Sequence, residues 1–275
     1  MENDLVSSAK PIITFLTDFG SQDYFAAAMK GVILSINPTA QIVDITHEIP
    51  PQDIHAAAFN LLAAYKDFPA NTVHVAVVDP GVGSTRRAVL IECAEQFFVG
   101  PDNGIFSWVC ERDGNYRAIH LTNENFFRHP VSATFHGRDI FAPVAAALSN
   151  GVAPEEFGPS IENLIHLDSL RPKILSDGAI EASIIHIDRF GNCITNLTRE
   201  ILGDDLSRVT LVVSDREISS FRRYYREAED KEREVFCVIG STGFLEVVAA
   251  NSSAASILGA RRGQTVSLVS QPNGK

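Results

Sequence analysis

Apolar and polar positions in the first part of the chain follow the order strand, helix, strand, helix, strand. Short apolar runs with the length of buried strands lie at residues 11–16, 41–45 and 73–78. The segments between them place their apolar residues on one helical face. We predict Ser21 as the cap of the first helix, Asn37 as its end, and Asp53 as the cap of the second. Strands that alternate with helices predict a parallel sheet with right-handed crossovers.

The pattern changes after residue 158. Residues 158–178 are irregular and contain several prolines, and apolar runs separated by turns follow them. Those runs, each predicted as a strand, lie at 179–187, 209–213, 235–239, 244–249 and 265–269. We therefore predict two domains. Residues 1–170 form an α/β domain with a mainly parallel central sheet, and residues 171–275 form an all-β, barrel-like domain. The charge-rich run 221–233 is predicted to be a solvated helix or loop.

The composition limits the classes of function. The 275 residues carry a net charge of −11, with 45% hydrophobic and 21% charged residues, which is typical of a globular protein. This acidity argues against nucleic acid as the main partner, although it leaves room for a local basic pocket. The four cysteines show neither C-x-x-C pairing nor zinc spacing, and no signal peptide or membrane-spanning apolar run is visible. We expect a cytoplasmic protein without a membrane partner.

The first stretch with candidate chemistry is the segment Val77 to Arg87. An apolar strand stops at Asp79 and Pro80, a glycine-rich turn follows, and two arginines close the segment. The carboxylate and a guanidinium can therefore converge at the carboxyl end of a strand, where open α/β sheets bind ligands. The alternative is a solvated loop closed by an Asp–Arg pair.

Three further polar groups follow predicted strands. Asp18 lies where a strand-end acid would reach ribose hydroxyls, although a turn or capping aspartate would occupy the same position. Asn103 offers the paired donor and acceptor that suit the edge of a base, but context favours an ordinary turn residue. His47 and Glu48 suggest a metal only weakly, because no second histidine follows at the helical spacing.

A second cluster runs from Ala133 to Pro143. His136 precedes a glycine and an alanine-rich helix that we predict to end near Ser149. A histidine at a helix start is kept neutral by the helix dipole and can then accept a proton. A lone histidine here would more often be structural, and Arg138 and Asp139 can pair with each other. Together, however, Asp79, Arg86 and His136 make a polar triad of catalytic type.

Five motifs in order across the chain resemble those of the S-adenosylmethionine (SAM) hydroxide adenosyltransferases, which hydrolyse SAM to adenosine and are related to the fluorinase and chlorinase. The motifs are residues 17–20 (TDFG), 78–83 (VDPGVG), 101–104 (PDNG), 135–139 (FHGRD) and 188–192 (DRFGN). The resemblance implies an α/β domain, a C-terminal β-barrel and a homotrimer. It also implies a ligand site between the N-terminal domain of one subunit and the C-terminal domain of the next.

The resemblance also implies roles for individual residues. The water-activating triad falls on Asp79, Arg86 and His136. Arg87, which directly follows Arg86, is the alternative for the arginine of the triad. The implied substrate contacts are Asp18 for the ribose hydroxyls, Asp188 and Asn192 for the methionine portion, Ser241, Phe135 in the pocket wall, and Asn103. Gln52 stands where the fluorinase has an aromatic residue, and the match around residues 249–253 is loose.

The implied reaction is an in-line displacement at the ribose C5′, with water as nucleophile and methionine as leaving group. SAM is then the substrate and adenosine a product, and neither a cofactor nor a metal is expected. The halogenases carry other residues where Asp79 and His136 stand, which favours water over halide. Two alternatives remain: a halide-dependent SAM adenosyltransferase, and a protein that binds SAM or adenosine without turnover. The sequence leaves open whether Asp79 or His136 takes the water proton.

Overall fold

The computed structural model describes residues 10–176, 179–203, 206, 209–225 and 233–270. The chain divides into two compact units, one ending at Asp168 and the other beginning at Ser169.

The N-terminal unit contains a seven-stranded sheet. Its strands are β1 Ile12–Thr17, β2 Gln41–Thr46, β3 Val73–Val77, β4 Ala88–Cys93, β5 Gln96–Pro101, β6 Tyr116–His120 and β7 Ser160–Ile161. The spatial order is β2-β1-β3-β5-β4-β6-β7. The four strands β2, β1, β3 and β5 are parallel, and β4, β6 and β7 add antiparallel pairs. The carboxyl ends of β1, β2 and β3 therefore share one edge.

Four α-helices accompany this sheet: α1 Phe25–Ile36, α2 Ile54–Ala64, α3 Ser107–Asp113 and α4 Ala142–Ser149. The Asp53 side chain caps α2 by accepting a hydrogen bond from Ala56 N at 2.9 Å, as predicted. The prediction for α1 is wrong at its start. Its N-cap is Tyr24, which makes no side-chain capping bond, because residues 18–24 form a longer turn than a Ser21 cap allows.

The centre of the sheet is buried on both faces, whereas the edge strand β2 is not. Every residue of β3 is buried, which is the pattern of a strand covered by helices on both sides. Alternate residues of β1 and β3, including Phe15 and Val75, join a cluster with Met29 and Ile33 of α1 and with residues of α4. Ile36, in the last position of α1, is 40% exposed, although its spacing along the helix predicts that it faces the core with Met29 and Ile33.

The C-terminal unit is an antiparallel, barrel-like sheet. Its described strands are β8 Lys173–Ile174, β9 Ile180–Ile187, β10 Cys193–Thr198, β11 Val209–Val213, β12 Arg216–Ile218, β13 Val235–Ile239, β14 Phe244–Ala249 and β15 Thr265–Ser270. The order is β12-β11-β15-β9-β10-β14-β13, with β8 beside β9. The two ends of this order, β12 and β13, are in contact. Two short helices, α5 Arg199–Leu202 and α6 Ala254–Leu258, complete the described unit.

The predicted fold class is confirmed: an α/β unit with a parallel centre precedes an all-β, barrel-like unit. Strands β6, β7, β8, β10 and β12 were not predicted, and β7 and β8 lie within the stretch 158–178 that was predicted to be irregular. Most of the charge-rich run 221–233, namely residues 226–232, lies outside the described residues. Within the part of the chain that the structure describes, no helix is long and apolar enough to cross a membrane.

Candidate active site

The predicted acidic residues follow neighbouring parallel strands. Asp18 comes directly after β1, and Asp79 comes two residues after the last residue of β3. Because β1 and β3 pair in parallel, both carboxylates lie at the same edge of the sheet. This edge is where open α/β sheets bind ligands. The topology thus places a candidate site where the chain alone suggested one.

Asp79, Arg86 and His136 meet at this edge. The Arg86 guanidinium donates from Nε to both Asp79 carboxylate oxygens at 3.0 Å, and from Nη2 to Oδ2 at 2.5 Å. The same Nη2 lies 2.7 Å from His136 Nδ1. The Asp79 and Arg86 side chains are only 6% and 9% exposed, and the guanidinium also packs 5.3 Å from the Phe141 ring centre. A charge-assisted pair that is this well buried fixes both groups in position.

The donor pattern defines the state of His136. A guanidinium can only donate hydrogen bonds, so Nδ1 of the imidazole must accept and the ring proton resides on Nε2. Burial and the neighbouring Arg86 charge lower the pKa of His136 from its usual value, against the opposing effect of Asp79. The ring is therefore neutral near pH 7. His136 directly precedes a π-helical turn, Gly137–Phe141, that leads into α4.

The two adjacent arginines have separate partners. Arg87 donates to Asp102 Oδ2 from Nε at 2.8 Å and from Nη2 at 2.5 Å. Its Nη1 donates to Asn163 Oδ1 at 3.1 Å, and its Nη2 contacts the Asn163 carbonyl oxygen. Arg86 is therefore the arginine that joins Asp79 and His136, and Arg87 instead ties the end of β5 to the segment around Asn163. Consecutive side chains diverge here because they point to opposite sides of the extended chain.

A cavity of about 430 Å³ is lined by Asp79 and His136, whereas Arg86 lies behind these two residues and does not line it. This volume is within the range of small-molecule sites. Its walls combine polar and aromatic residues: Asp18, Phe19, Phe25, Gln52, Val77, Asp79, Pro80, Val82, Thr134, Phe135, His136 and Gly137. The Phe135 ring packs edge-on against Phe25 and Phe19, with ring centres 5.2 Å and 6.0 Å apart. Phe19 and Phe25 line the cavity together with the predicted Phe135, but they were not predicted. Phe19 belongs to the TDFG turn and Phe25 follows it closely, and this position was the signal that could have identified them.

Asp18 and Asn103 occupy different positions relative to this cavity. Asp18 lines it, and Asp18 Oδ2 accepts a hydrogen bond from Gln52 N at 2.8 Å. Asn103 does not line it. The Asn103 amide donates to Val78 O at 2.8 Å and accepts from Ile105 N at 3.2 Å, so both of its polar atoms are engaged within the turn.

Arg138 and Asp139, adjacent to His136, pair with each other. Arg138 Nε donates to Asp139 Oδ1 at 2.7 Å, and the completely buried Asp139 also accepts from Ser132 N at 2.9 Å. This pair holds the segment before His136 against the helix that follows. The supporting role that the sequence offered for these two residues is therefore the one observed.

The C-terminal unit has a cavity of its own, of about 920 Å³. It is lined by the three predicted residues Asp188, Asn192 and Ser241, together with Phe190, Tyr225, Glu246, Ala249, Ala250 and 251–253. Asp188 Oδ1 accepts from Phe190 N at 2.9 Å and from Asn192 N at 2.8 Å, and its Oδ2 accepts from Asn192 Nδ2 at 2.9 Å. Much of the Asp188 carboxylate is thus used to shape its own loop.

Glu246 and Tyr225 also line this second cavity, and neither was predicted as a site residue. Glu246 is 8% exposed, and Tyr225 Oη donates to Glu246 Oε2 at 3.0 Å. Burial raises the pKa of Glu246, and the nearby Asp188 charge acts in the same direction against the tyrosine hydrogen bond. A glutamate within the apolar strand Phe244–Ala249 was the available signal, because a lone buried carboxylate is rare in such a strand.

None of the predicted site residues is a cysteine, and none lines a further cavity of about 1310 Å³ around Tyr65, Cys93 and Tyr116. Among the described residues, no three His, Cys, Asp or Glu side chains are grouped as metal ligands would be. The four cysteines are buried and unpaired.

Family models match both units. The model of the SAM hydroxide adenosyltransferase N-terminal domain matches residues 13–158. The model of the corresponding C-terminal domain matches residues 182–267. The two matches occur in the same order as the two compact units.

Similar proteins are found among both sequences and structures. A Thermus thermophilus protein named (R)-S-adenosyl-L-methionine hydrolase is 38% identical over 266 residues, covering 94% of this chain and 99% of the relative. A fluorinase of an Actinoplanes species is 26% identical, covering 70% of this chain and 74% of the relative. The crystal structure of an uncharacterized conserved protein from Thermotoga maritima superposes with a TM-score of 0.85 at 33% identity, covering 93% of this chain and 99% of that one.

Proposed function

Because the chain belongs to the SAM hydroxide adenosyltransferase family, we propose that it hydrolyses S-adenosyl-L-methionine to adenosine and L-methionine. The observation that carries the proposal is the Asp79–Arg86–His136 contact beside a cavity of suitable size. The names of relatives specify the (R) configuration, and we propose the same epimer as substrate here.

The reaction is a displacement at the ribose C5′. A water oxygen forms a bond to C5′ while the C5′–S bond breaks, and sulfur keeps the bonding electron pair. Methionine leaves as a neutral thioether. One proton of the reacting water stays on the 5′ oxygen of adenosine, and the other passes to a base and then to solvent. The sulfonium needs no acid to help it leave, so the protein has to orient the water and assist its deprotonation. Correct placement of a nucleophile can supply about 7–11 kcal/mol of the barrier.

The hydrogen-bond pattern distinguishes the roles of the three residues. The lone pair of His136 Nδ1 is directed at Arg86, and Nε2 carries the ring proton, so the imidazole has no free acceptor atom. A carboxylate has about four acceptor positions, and Arg86 leaves part of the Asp79 set unused. We therefore propose Asp79 as the acceptor of the water proton. His136 would donate to the water oxygen, and Arg86 would stabilise developing hydroxide character.

Substrate binding is proposed for residues of both cavities. Asp18 would accept from the ribose hydroxyls and Phe135 would line the C5′ region. Asp188, Asn192 and Ser241 would hold the methionine portion, and the buried Glu246 carboxylate adds a second anion near an α-ammonium group. Asn103 would act indirectly by holding the Val78 carbonyl at the end of β3.

Incubation with the separated SAM epimers tests the proposal. We expect adenosine and methionine from the (R) epimer without added halide, quantified by chromatography. Asp79→Asn preserves the shape of the side chain and should lower kcat by about a hundredfold or more, the usual loss for a missing general base. Glu124→Gln, at an exposed position away from the cavity, serves as control. Full turnover by Asp79→Asn, or no adenosine from the wild-type protein, contradicts the proposal.

The similarity to a fluorinase supports a second candidate, a halide-dependent adenosyltransferase. Under this alternative, chloride or fluoride in the same incubation yields 5′-halo-5′-deoxyadenosine in place of adenosine. Calorimetric binding of SAM with neither product after hours would indicate a non-catalytic SAM-binding protein.

The assembly and setting are also proposals. We propose a homotrimer in which each site lies between two subunits, and a cytoplasmic location. We also propose that this chain of net charge −11 has no nucleic-acid partner and that turnover needs no metal or other cofactor. Light scattering should give three times the 30.0 kDa chain mass. Activity should survive treatment with a chelator.

The domain limits 1–170 and 171–275 remain a proposal as well. Limited proteolysis should cut first in the irregular segment between the two units, because exposed connections are the preferred sites of cleavage. Mass spectrometry of the fragments identifies the boundary.

A further inference from the structure

His47 contacts both ends of the turn that carries Asp18. The His47 carbonyl oxygen accepts a hydrogen bond from Gly20 N at 2.8 Å. The His47 ring nitrogen Nδ1 lies 2.8 Å from Thr17 Oγ1. Asp18 lies between these two fixed points, and Gly20 adopts a positive φ of 67°. One residue at the end of β2 therefore closes the turn at the end of β1 from both sides.

The orientation of the His47 ring is set from its other nitrogen. Nε2 lies 3.1 Å from Asp44 Oδ1, and Lys30 Nζ donates to Asp44 Oδ2 at 2.6 Å. The Nε2 contact is off the preferred hydrogen-bond angle, so Asp44 acts on the ring chiefly through its charge. A negative neighbour favours the ring proton on Nε2. Nδ1 then accepts from the Thr17 hydroxyl, whose oxygen in turn accepts from Phe19 N at 3.3 Å.

The acid–imidazole–hydroxyl order of Asp44, His47 and Thr17 does not make an activated nucleophile. Thr17 is 0% exposed, so its hydroxyl cannot reach a substrate. In the described part of the chain, His47 also belongs to no group of three metal-binding side chains. The remaining role is to fix the backbone on either side of Asp18. Among the described residues, the hydrogen bond that holds the Asp18 carboxylate comes from Gln52 N, at 2.8 Å.

We propose that His47 is a positioning residue for Asp18, through which it sets the affinity of the site for a vicinal diol such as that of a ribose ring. The inference rests on the proposed function, because it takes Asp18 as the acceptor of the ribose hydroxyls. His47 makes no contact with the reacting atoms in this scheme. Its loss therefore weakens binding of the ribose and leaves the water-activating groups in place.

Two substitutions separate the contacts of the ring. The amide of Asn occupies the place of Nδ1, so His47→Asn keeps the bond to Thr17 and loses the contact with Asp44. The longer Gln places its amide near Nε2, so His47→Gln keeps the contact with Asp44 and loses the bond to Thr17. Both variants retain the backbone bond to Gly20. Thr17→Val removes the hydroxyl from the opposite side and provides a third, nearly isosteric test.

The measurement is the dissociation constant of 2′,3′-dideoxyadenosine divided by that of adenosine, both determined by calorimetry. The two nucleosides differ only in the 2′ and 3′ hydroxyls, so this ratio gives the contribution of the diol to binding. We expect the wild-type protein to prefer adenosine and Asp18→Ala to abolish the preference. His47→Gln and Thr17→Val should each reduce the ratio by about five- to tenfold, as expected for a lost hydrogen bond, and His47→Asn should stay within about twofold of wild type. With SAM, His47→Gln should raise KM while kcat changes by less than about threefold. Thermal melting checks that each variant is folded.

Distinct results overturn the inference and the proposed function. If His47→Gln and Thr17→Val weaken both nucleosides equally, His47 has only a general structural role and the inference fails while the activity stands. If the wild-type protein discriminates the nucleosides but makes no adenosine from SAM, the proposed function fails and the positioning role stands. If the wild-type protein binds neither nucleoside, both are wrong.

Discussion

At the scale of single residues, His74 and His136 are both held neutral, but by different surroundings. His74 is 0% exposed inside β3, where Nδ1 lies 2.7 Å from Thr14 Oγ1 and Nε2 lies 3.2 Å from Gln96 Oε1. Burial lowers the pKa of His74 to about 4, against a partial opposing effect of Gln96. His136 lies at the cavity, where burial and the Arg86 guanidinium both lower its pKa. The first histidine belongs to the core and the second to the site.

We predict that His74 makes the free energy of unfolding depend on pH. Because the unfolded chain binds a proton near pH 6.5 and the folded chain near pH 4, stability falls as the pH drops through this window. The full shift corresponds to a loss on the order of 3 kcal/mol. Urea denaturation from pH 7 to pH 4 measures it. His74→Gln cannot titrate and should show a flatter profile in that window, and an equally steep profile would contradict the prediction.

Burial lowers the pKa of His136 below its usual value of about 6.5, and we predict that the Arg86 charge contributes to this lowering. Nuclear magnetic resonance titration of the imidazole should give a value below this reference in the wild-type protein. Arg86→Gln removes the positive neighbour and leaves the Asp79 carboxylate, so the pKa of His136 should rise. An unchanged or lower value in Arg86→Gln would show that burial alone sets the protonation of His136. The acid limb of kcat/KM for the wild-type protein should likewise lie below pH 6.5.

At the scale of elements, the site depends on two loops that approach closely. The glycine-rich turn after Asp79 touches the segment before His136 at Gly83, where an added Cβ would lie 2.2 Å from the Ala133 carbonyl oxygen. Gly83 also has a φ of 77°, a conformation that side chains disfavour. Glycine is therefore required here for two reasons, and the contact fixes the distance between the loops that carry the carboxylate and the imidazole.

We predict that Gly83→Ala separates these loops and lowers kcat by at least about tenfold, in line with the sensitivity of catalysis to small misplacements. The matched control is Gly114→Ala, which has a similar φ of 74° but open space around the added Cβ. Both variants should lose about 1–2 kcal/mol of unfolding free energy from backbone strain. Gly83→Ala should lose more because of its clash with the Ala133 carbonyl oxygen, and only Gly83→Ala should lose activity. Steady-state kinetics and denaturation measure the two effects. Equal activity of the two variants would exclude a role for the loop contact.

Strand β10, Cys193–Thr198, illustrates why one element escaped prediction. Thr195 and Asn196 place polar side chains in the middle of a strand that is buried on both faces. Their partners come from other strands: Thr195 Oγ1 donates to Leu245 O at 2.8 Å, and Asn196 Oδ1 accepts from Ser183 N at 2.8 Å. Burial of such groups is tolerated only when they are hydrogen-bonded, and local sequence does not reveal distant partners. Strands β1 and β3 also bury polar side chains, Thr14 and His74, but their neighbours along the chain are mostly apolar and the strands were therefore recognised.

At the scale of the whole molecule, the two sets of proposed contacts belong to different units. The groups proposed to activate water lie in the N-terminal unit, and Asp188, Asn192 and Ser241 line a cavity of the C-terminal unit. The family resemblance implies that such units meet between neighbouring subunits. A ring of identical subunits with head-to-tail contacts would contain one site for each interface.

We predict that two defective variants complement each other when co-expressed. Asp79→Asn impairs the N-terminal contribution and Asp188→Ala the C-terminal one. In mixed rings, random assembly pairs an intact N-terminal unit with an intact C-terminal unit at about a quarter of the interfaces. Activity should therefore recover to about that fraction of wild type. Separately expressed variants that are mixed without exchange are the control. No recovery in co-expressed rings would place each site within one chain.

Most of the elements and their order could be predicted from the sequence, because apolar periodicity and turn residues are local properties. The candidate chemistry after β1 and β3 could be predicted as well, since strand ends are recognisable from residues such as Asp18 and Asp79. Three features became visible only in the folded chain: that Arg86 rather than Arg87 contacts Asp79 and His136, that Nδ1 of His136 faces Arg86, and that His47 lies beside the Asp18 turn. These depend on which distant groups come within hydrogen-bond distance, and that is fixed by strand pairing and loop packing rather than by neighbours along the chain.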